Sequence, residues 1–389
     1  MKRHSFFWWL LLIIAFILPL SQFICVRLIF VTLLFSFFVK KEKSQLSSLF
    51  TNVWDVALFF LVMLIGLAYT EDLKFGLSVF ETRFSLFAFP FIFYKISDFD
   101  KKKLHQLFYV FALGLIIASF ICISHAFVNY IEIKNVHVFF FYELTDVLDY
   151  QPTYFAYYII FVISFGFYLL YFDTIAHYQW MFVALLFLFV VLMLTGGLTS
   201  FMSILLVLSF FVLKFLTDYK TKIKTQAFAI ILLMLASLFM FSHLYKKLDD
   251  PSYKITDQWE RVTLWESALN ANSNVWLGVG TGDYKNEMNR FYEQHQMSAF
   301  ENYNSHNQFL ETLFSNGLIG LFSILILIGR PLYLSVHNQN VLGVLTFFPF
   351  LIYGVTEVFL GRFQGVVFFA LLHQTFLSLY NNRTTSVVD

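Results

Sequence analysis

The chain has 389 residues, of which 59% are hydrophobic and 13% charged, and its mean hydropathy is +0.71. Soluble globular proteins carry about 25% charged residues, so the composition excludes a soluble domain and points to burial in lipid. The formal net charge of +1 gives no electrostatic basis for a nucleic-acid partner.

In chain order, Met1-Lys2-Arg3-His4 precedes an apolar run from Phe6 to Leu20. No small-residue cleavage site follows and a second apolar run starts at once, so the segment reads as a retained anchor. A membrane span needs about 20 apolar residues. Twelve segments are candidates, some of them short: 6–20, 23–39, 53–70, 76–94, 104–123, 153–172, 179–194, 199–216, 225–243, 306–329, 341–360 and 362–380. The joins near Ser21, Thr195 and Gly361 are short enough for tight hairpins. Cys25 and Cys122 both lie in apolar runs and read as buried thiols, and no Cys/His cluster has zinc spacing.

Lys and Arg in short loops set the orientation. Lys2, Arg3, Lys40, Lys41, Lys43, Lys95, Lys101 to Lys103, Lys214, Lys220, Lys222, Lys224, Arg330 and Arg383 fall on one side. That side is cytoplasmic and holds both termini. The opposite side takes the loop 124–152 and a long loop, about 244–305. The long loop carries Trp259, Trp265 and Trp276 and an amphipathic stretch near 257–271, where Val262, Trp265 and Leu269 recur at helical spacing. A turn follows at Gly278-Val279-Gly280-Thr281-Gly282-Asp283-Tyr284, then a second helical stretch near 283–296. This pattern predicts a small folded helical cap. The glycines follow no strand of a parallel sheet and face outward, so they serve a tight turn rather than a nucleotide.

The most informative run is Ser305-His306-Asn307-Gln308 at the mouth of the tenth span, with Glu311 one turn below Asn307. Ser-x-x-Gln is a capping box, which accounts for Ser305 and Gln308 and leaves His306 and Asn307 unexplained. The positive end of the helix dipole favours a neutral imidazole, the form that accepts a proton. A carboxylate at the hydrocarbon edge costs about 2–3 kcal/mol on the mildest scale. Glu311 therefore has either a chemical role or an ion-pair partner such as a loop arginine. Arg261 opens the amphipathic loop stretch, and a guanidinium there suits a diphosphate. Its alternative is a snorkelling surface cation. Arg290 and Lys285 are weaker candidates of the same kind. Arg83 in the fourth span, and Glu357 and Arg362 near the outer end of the last two, are ionisable groups in membrane segments. Internal bridges Glu81–Arg83 and Glu357–Arg362 are equally compatible with the sequence. Gly317 and Gly320 read as close-packing positions between helices.

The combination of Arg261-x-x-x-Trp265, the Gly278 to Tyr284 turn and His306-Asn307-x9-Gly317-x-x-Gly320 in a many-span chain resembles the bacterial O-antigen ligase and polymerase superfamily. The resemblance is strongest over about 190–330, and Gln151-Pro152-Thr153-Tyr154-Phe155 extends it. It implies a GT-C-like, all-α integral membrane protein of about 12 transmembrane helices with a periplasmic helical cap. Residues 1–389 would form one polytopic domain in the inner membrane. The implied activity is transfer of a glycan from an undecaprenyl diphosphate carrier to a hydroxyl at the periplasmic face, in surface polysaccharide assembly, without metal or cofactor. The acceptor would be lipid A–core in a ligase, another carrier-linked repeat unit in a polymerase, and Ser or Thr in protein-glycosylating relatives. The family's motif histidine and loop arginine map to His306 and Arg261, which would be catalytic. Asn307, Glu311, Arg83, Arg290, Trp265 and Tyr284 would bind substrate, the two aromatics by stacking on sugars. One departure is that Leu194-Thr195-Gly196-Gly197-Leu198-Thr199-Ser200-Phe201 lacks the arginine that many members carry there. The rival from another class is a lipid-linked glycan flippase, which needs charged groups along a path through the midplane. The sequence instead gathers its polar groups at one face.

Overall fold

The computed structural model describes residues 3–39, 46–96, 99–172, 178–195, 197–217, 226–235, 237, 258–272 and 274–385. Every described element is a helix or a turn. The long helices are α1 (Arg3–Ile17), α2 (Gln22–Phe38), α3 (Leu46–Leu67), α4 (Leu73–Tyr94) and α5 (Lys101–Ile133). A short α6 (Phe141–Thr145) follows, then α7 (Pro152–Phe172), α8 (Tyr178–Thr195) and α9 (Leu198–Thr217). The apolar helix α10 (Gln226–Leu235) precedes α11 (Gln258–Ala271) and α12 (Tyr284–Gln294). The chain ends in α13 (Gln308–His337), α14 (Val341–Thr356) and α15 (Phe363–Thr385).

Among the described residues, eight helices are long and apolar enough to cross a membrane: α3, α4, α5, α7, α8, α9, α13 and α15. Four shorter apolar helices, α1, α2, α10 and α14, fill the places of the other predicted spans. Each of the twelve predicted segments is thus mainly helical where it is described, with turns at several of the predicted ends. The ninth, 225–243, lies partly outside the described residues, as do 244–257 of the long loop. The region expected as the loop 124–152 is largely ordered helix instead. α5 runs on to Ile133, and two 3-10 turns flank α6. A solvent-facing helix needs no apolar span to persist, so composition alone ended α5 too early.

The core is aromatic. Phe108, Phe111, Phe161 and Phe368 bring α5, α7 and α15 together edge to face, with Phe111 and Phe368 stacked at 5.3 Å. Such pairs add about 0.5–1.5 kcal/mol beyond burial. α7 and α15 are almost wholly buried, and α1 packs along α5. Gly114 permits that approach, because a Cβ there would stand 2.2 Å from the Phe16 carbonyl oxygen.

α11 and α12 form the cap, with a small core of Leu264, Ala268, Met288, Tyr292 and Phe314. The residues noted for their helical spacing are not the ones that pack this core. Leu264, Ser267 and Ala268 point inward, whereas Val262 and Leu269 are exposed. In a chain surrounded by lipid, an apolar stripe does not by itself mark the protein-facing side.

Candidate active site

α13 is broken at Gly317, whose φ of 65° and ψ of −163° are not helical. A Cβ at Gly317 would lie 2.1 Å from the Trp276 carbonyl oxygen, so only glycine allows this approach. The break frees backbone groups, and the cap segment after α11 satisfies them. Val279 N–H donates to Phe314 O and Gly280 N–H to Ser315 O, each at 2.9 Å, and Leu318 N–H donates to Val275 O at 2.8 Å. Irregular backbone at membrane depth survives where protein supplies its hydrogen bonds. Gly317 therefore serves a helix–loop contact rather than the helix–helix contact expected of it.

The following turn is fastened to the α3–α4 connection. The Asp283 carboxylate accepts from Glu71 N–H and Asp72 N–H, at 2.8 and 2.7 Å. Thr70 Oγ1 accepts from Gly282 N–H. Thr281 Oγ1 donates to Met63 O and accepts from Asn316 Nδ2, both at 2.8 Å. Together these bonds hold the cap, α3, α4 and the broken half of α13 around one spot.

The helix itself opens at Gln308, not at Ser305. The cap residue is Asn307, whose Oδ1 accepts from Phe309 N–H and Leu310 N–H at 3.0 and 3.1 Å. The capping-box reading is corrected accordingly. Ser305 Oγ donates to Asn307 O, and Gln308 Oε1 accepts from Leu360 N–H at 2.7 Å. The Asn307 carbonyl group is therefore already committed to the helix start. His306, just outside the helix, has a φ of 44°, a left-handed conformation that a non-glycine residue seldom adopts. Its N–H donates to Asn304 Oδ1 at 2.9 Å. Its imidazole stays partly exposed, and Nδ1 lies 3.6 Å from Glu357 Oε2 at the end of α14.

Beneath it, Glu311 and Arg83 are buried at 2% and 4% exposure, with Oε1 and Nη2 3.7 Å apart. Arg83 also donates from Nε to Leu360 O at 3.2 Å. Neither internal bridge proposed from sequence appears among the described residues: Arg83 pairs with Glu311, and Glu357 faces His306. The Tyr284 hydroxyl faces Glu311 as well. Burial first, and then that carboxylate, hold it far above the ordinary phenol range against the pull of Arg83. The Tyr284 ring packs on Phe75 at 5.6 Å, which covers part of the face expected to meet a sugar.

The structure thus brings together His306, Asn307, Glu311, Arg83 and Tyr284. Arg290 is exposed and bound to acids, Glu287 at 2.5 Å and Glu71 at 3.8 Å. Arg261 and Trp265 lie partly buried on α11, and no hydrogen bond or ion pair joins Arg261 to the His306 group among the described residues. In the stretch lacking an arginine, Thr199 and Ser200 bond α14 through Thr356 and Tyr353 at 2.8 and 2.9 Å.

Residues 183–325, from within α8 to the middle of α13, match the sequence family described as O-antigen ligase. The match covers 143 of the 389 residues, and over that region the chain is similar to the O-antigen ligase family. The matched region holds the cap, the break at Gly317, and His306 and Glu311, while Arg83 and Glu357 come from outside it. A protein of Haemophilus influenzae described as uncharacterized is 26% identical over 122 residues, 28% of this chain and 31% of that protein. The chain thus spans about a third of the curated relative it matches, at 31%.

Polar groups do not gather at one face only, contrary to the sequence reading. A second buried cluster joins α3, α13 and α15. Asp55 pairs with Arg330 at 3.0 Å and with His373 at 2.9 Å. Gln374 Nε2 donates to Asn52 O at 3.0 Å. Twenty-two residues separate Gln308 from Arg330 along α13, roughly 30 Å at helical rise, so this cluster sits toward the opposite end of the bundle.

Proposed function

We propose that this protein transfers a glycan from undecaprenyl diphosphate to a hydroxyl of lipid A–core at the periplasmic face of the bacterial inner membrane. The carrying observation is the half-exposed imidazole of His306, fixed at the mouth of a broken membrane helix within the family-matched region. In this reading the acceptor hydroxyl attacks the anomeric carbon with inversion. Its proton passes to His306, and the bond to the diphosphate breaks with its electron pair on the departing oxygen. The cap arginine Arg261 neutralises that departing charge. Arg83 and Glu311 form a charged floor under the imidazole, and Asn307 fixes its backbone. Trp265, Tyr284 and Arg290 line the approach of carrier and glycan.

The test uses purified protein in nanodiscs with undecaprenyl diphosphate-linked glycan, with and without lipid A–core. A single acceptor shift, absent in His306→Ala, is the expected result. A ladder of carrier-linked oligomers without added acceptor would reassign the protein as a polymerase. Carrier glycan crossing the bilayer with no product in either arm would make it a flippase.

A further inference from the structure

We propose that Glu357 is the positioning residue of His306: its carboxylate holds the Nδ1 side of the imidazole and leaves Nε2 to take the proton of the attacking hydroxyl. This rests on the reading of His306 as the general base given above. The two side chains meet at 3.6 Å, with Glu357 Oε2 toward His306 Nδ1. That is ion-pair range, a distance that tightens when a catalytic imidazole becomes charged. Both partners are anchored through backbone. Glu357 closes α14, where its N–H donates to Tyr353 O at 2.7 Å. His306 is held in its left-handed conformation by Asn304 and by the Asn307 cap. The pair is also asymmetric: the Glu357 side chain is 12% exposed and the His306 side chain 32%. The carboxylate is therefore the more buried partner, and the imidazole the more accessible one.

A neutral imidazole carries one donor and one acceptor nitrogen, and a carboxylate only accepts. The nitrogen nearest Glu357 is thus the one that keeps the hydrogen. Nε2 is left with its lone pair. During transfer the hydroxyl O–H bond breaks toward Nε2 while the oxygen bonds the anomeric carbon. The carbon–oxygen bond to the diphosphate breaks with its pair on the diphosphate. The Glu357 carboxylate faces the imidazolium that forms and offsets its charge. The other charged or titratable groups in reach of this pair are Glu311 on α13, backed by Arg83, and Tyr303 in the preceding loop. Tyr142, Tyr154, Tyr353 and Arg362 surround Glu357. A merely structural role for Glu357, joining α14 to the mouth of α13, would change stability and leave the titration of His306 untouched.

The deciding experiment follows the His306 imidazole by NMR in full-length protein in nanodiscs, with the signal assigned by its loss in His306→Ala. Wild type, Glu357→Gln and Glu357→Asp are compared. The same three are assayed for the pH dependence of kcat/KM, with undecaprenyl diphosphate-linked glycan extracted from the native membrane. Removing a facing negative charge disfavours the imidazolium, so His306 in Glu357→Gln should titrate about one pH unit lower. The acid limb of kcat/KM should move down with it, kcat should fall about tenfold or more, and KM should hold. Glu357→Asp should recover part of each change. An unmoved titration in Glu357→Gln overturns the pairing whatever the activity. A moved titration with an unmoved acid limb shows that His306 is paired but is not the base, which removes the positioning role together with the base reading.

Discussion

Arg83 and Glu311 form a buried ion pair, and the two charges depend on each other. Removing one partner of such a pair typically costs about 3–5 kcal/mol, because the other charge stays buried without compensation. Arg83→Met should therefore lower the unfolding midpoint in detergent sharply, and adding Glu311→Gln should restore most of it. No rescue in the double variant would mean the pair is not coupled. Tyr284 offers a pH test. Its hydroxyl is held above the phenol range in the folded protein, by burial and then by Glu311. A group raised on folding contributes stability below its unfolded pKa of about 10, and that stability is lost as pH rises further. The wild type should therefore lose more stability than Tyr284→Phe between neutral pH and pH values above about 10. His306 and Glu311 were legible in the sequence because a polar cluster opens an apolar run. Their pairing with Arg83 and Glu357, both singled out but given other partners, was not. Arg83 and Glu357 lie far away along the chain, and a bundle sets its pairs by packing that hydrophobic periodicity does not encode.

Helix existence was legible for the same reason that helix faces were not. The apolar runs are mainly helical where described, since lipid demands internal hydrogen bonding. The break in α13 was not read from the sequence, although Ser315-Asn316-Gly317 is a turn-type triplet between two apolar stretches. It becomes visible as the 65° φ of Gly317 and the three cap hydrogen bonds. Gly317→Ala should detach the cap from α13 and abolish transfer, with increased protease cleavage of the cap. Gly329→Ala is the matched control, since nothing lies within 4 Å of its added Cβ. Equal behaviour of the two variants would contradict the role of the break. Asn307→Ala should cost about 1 kcal/mol through the lost helix cap, and Asn307→Ser should keep most of that stability. The packed face of α11 was not assigned from sequence: Val262 and Leu269 are apolar yet exposed, and an apolar pattern looks the same whether it meets lipid or protein.

At the scale of the whole molecule, the bundle carries ionisable groups at both ends, the His306 site at one and Asp55, Arg330 and His373 at the other. The distal cluster ties α3, α13 and α15, so Arg330→Met should cost stability by leaving Asp55 less well paired, without changing the pH profile of transfer. The lysine and arginine bias predicts an orientation that labelling can test directly. Cys25 and Cys122 are buried, so an added surface cysteine labels over little background. Ser298→Cys in the cap should react with an impermeant maleimide from the periplasm. Gln339→Cys, in the turn between α13 and α14, should react only from the cytoplasm. The opposite pattern would invert the topology, and labelling of cap positions from both sides would favour the alternating exposure of a flippase.

The most direct measurement of the central claim is turnover of undecaprenyl diphosphate-linked glycan by purified wild type, His306→Ala and Arg261→Ala in nanodiscs, with unfolding midpoints recorded on the same samples. The account predicts release of the free diphosphate carrier together with a glycosylated lipid A–core. It predicts a loss of about 10²-fold or more in kcat for each variant at unchanged stability. Wild-type turnover in a stably folded His306→Ala would contradict it.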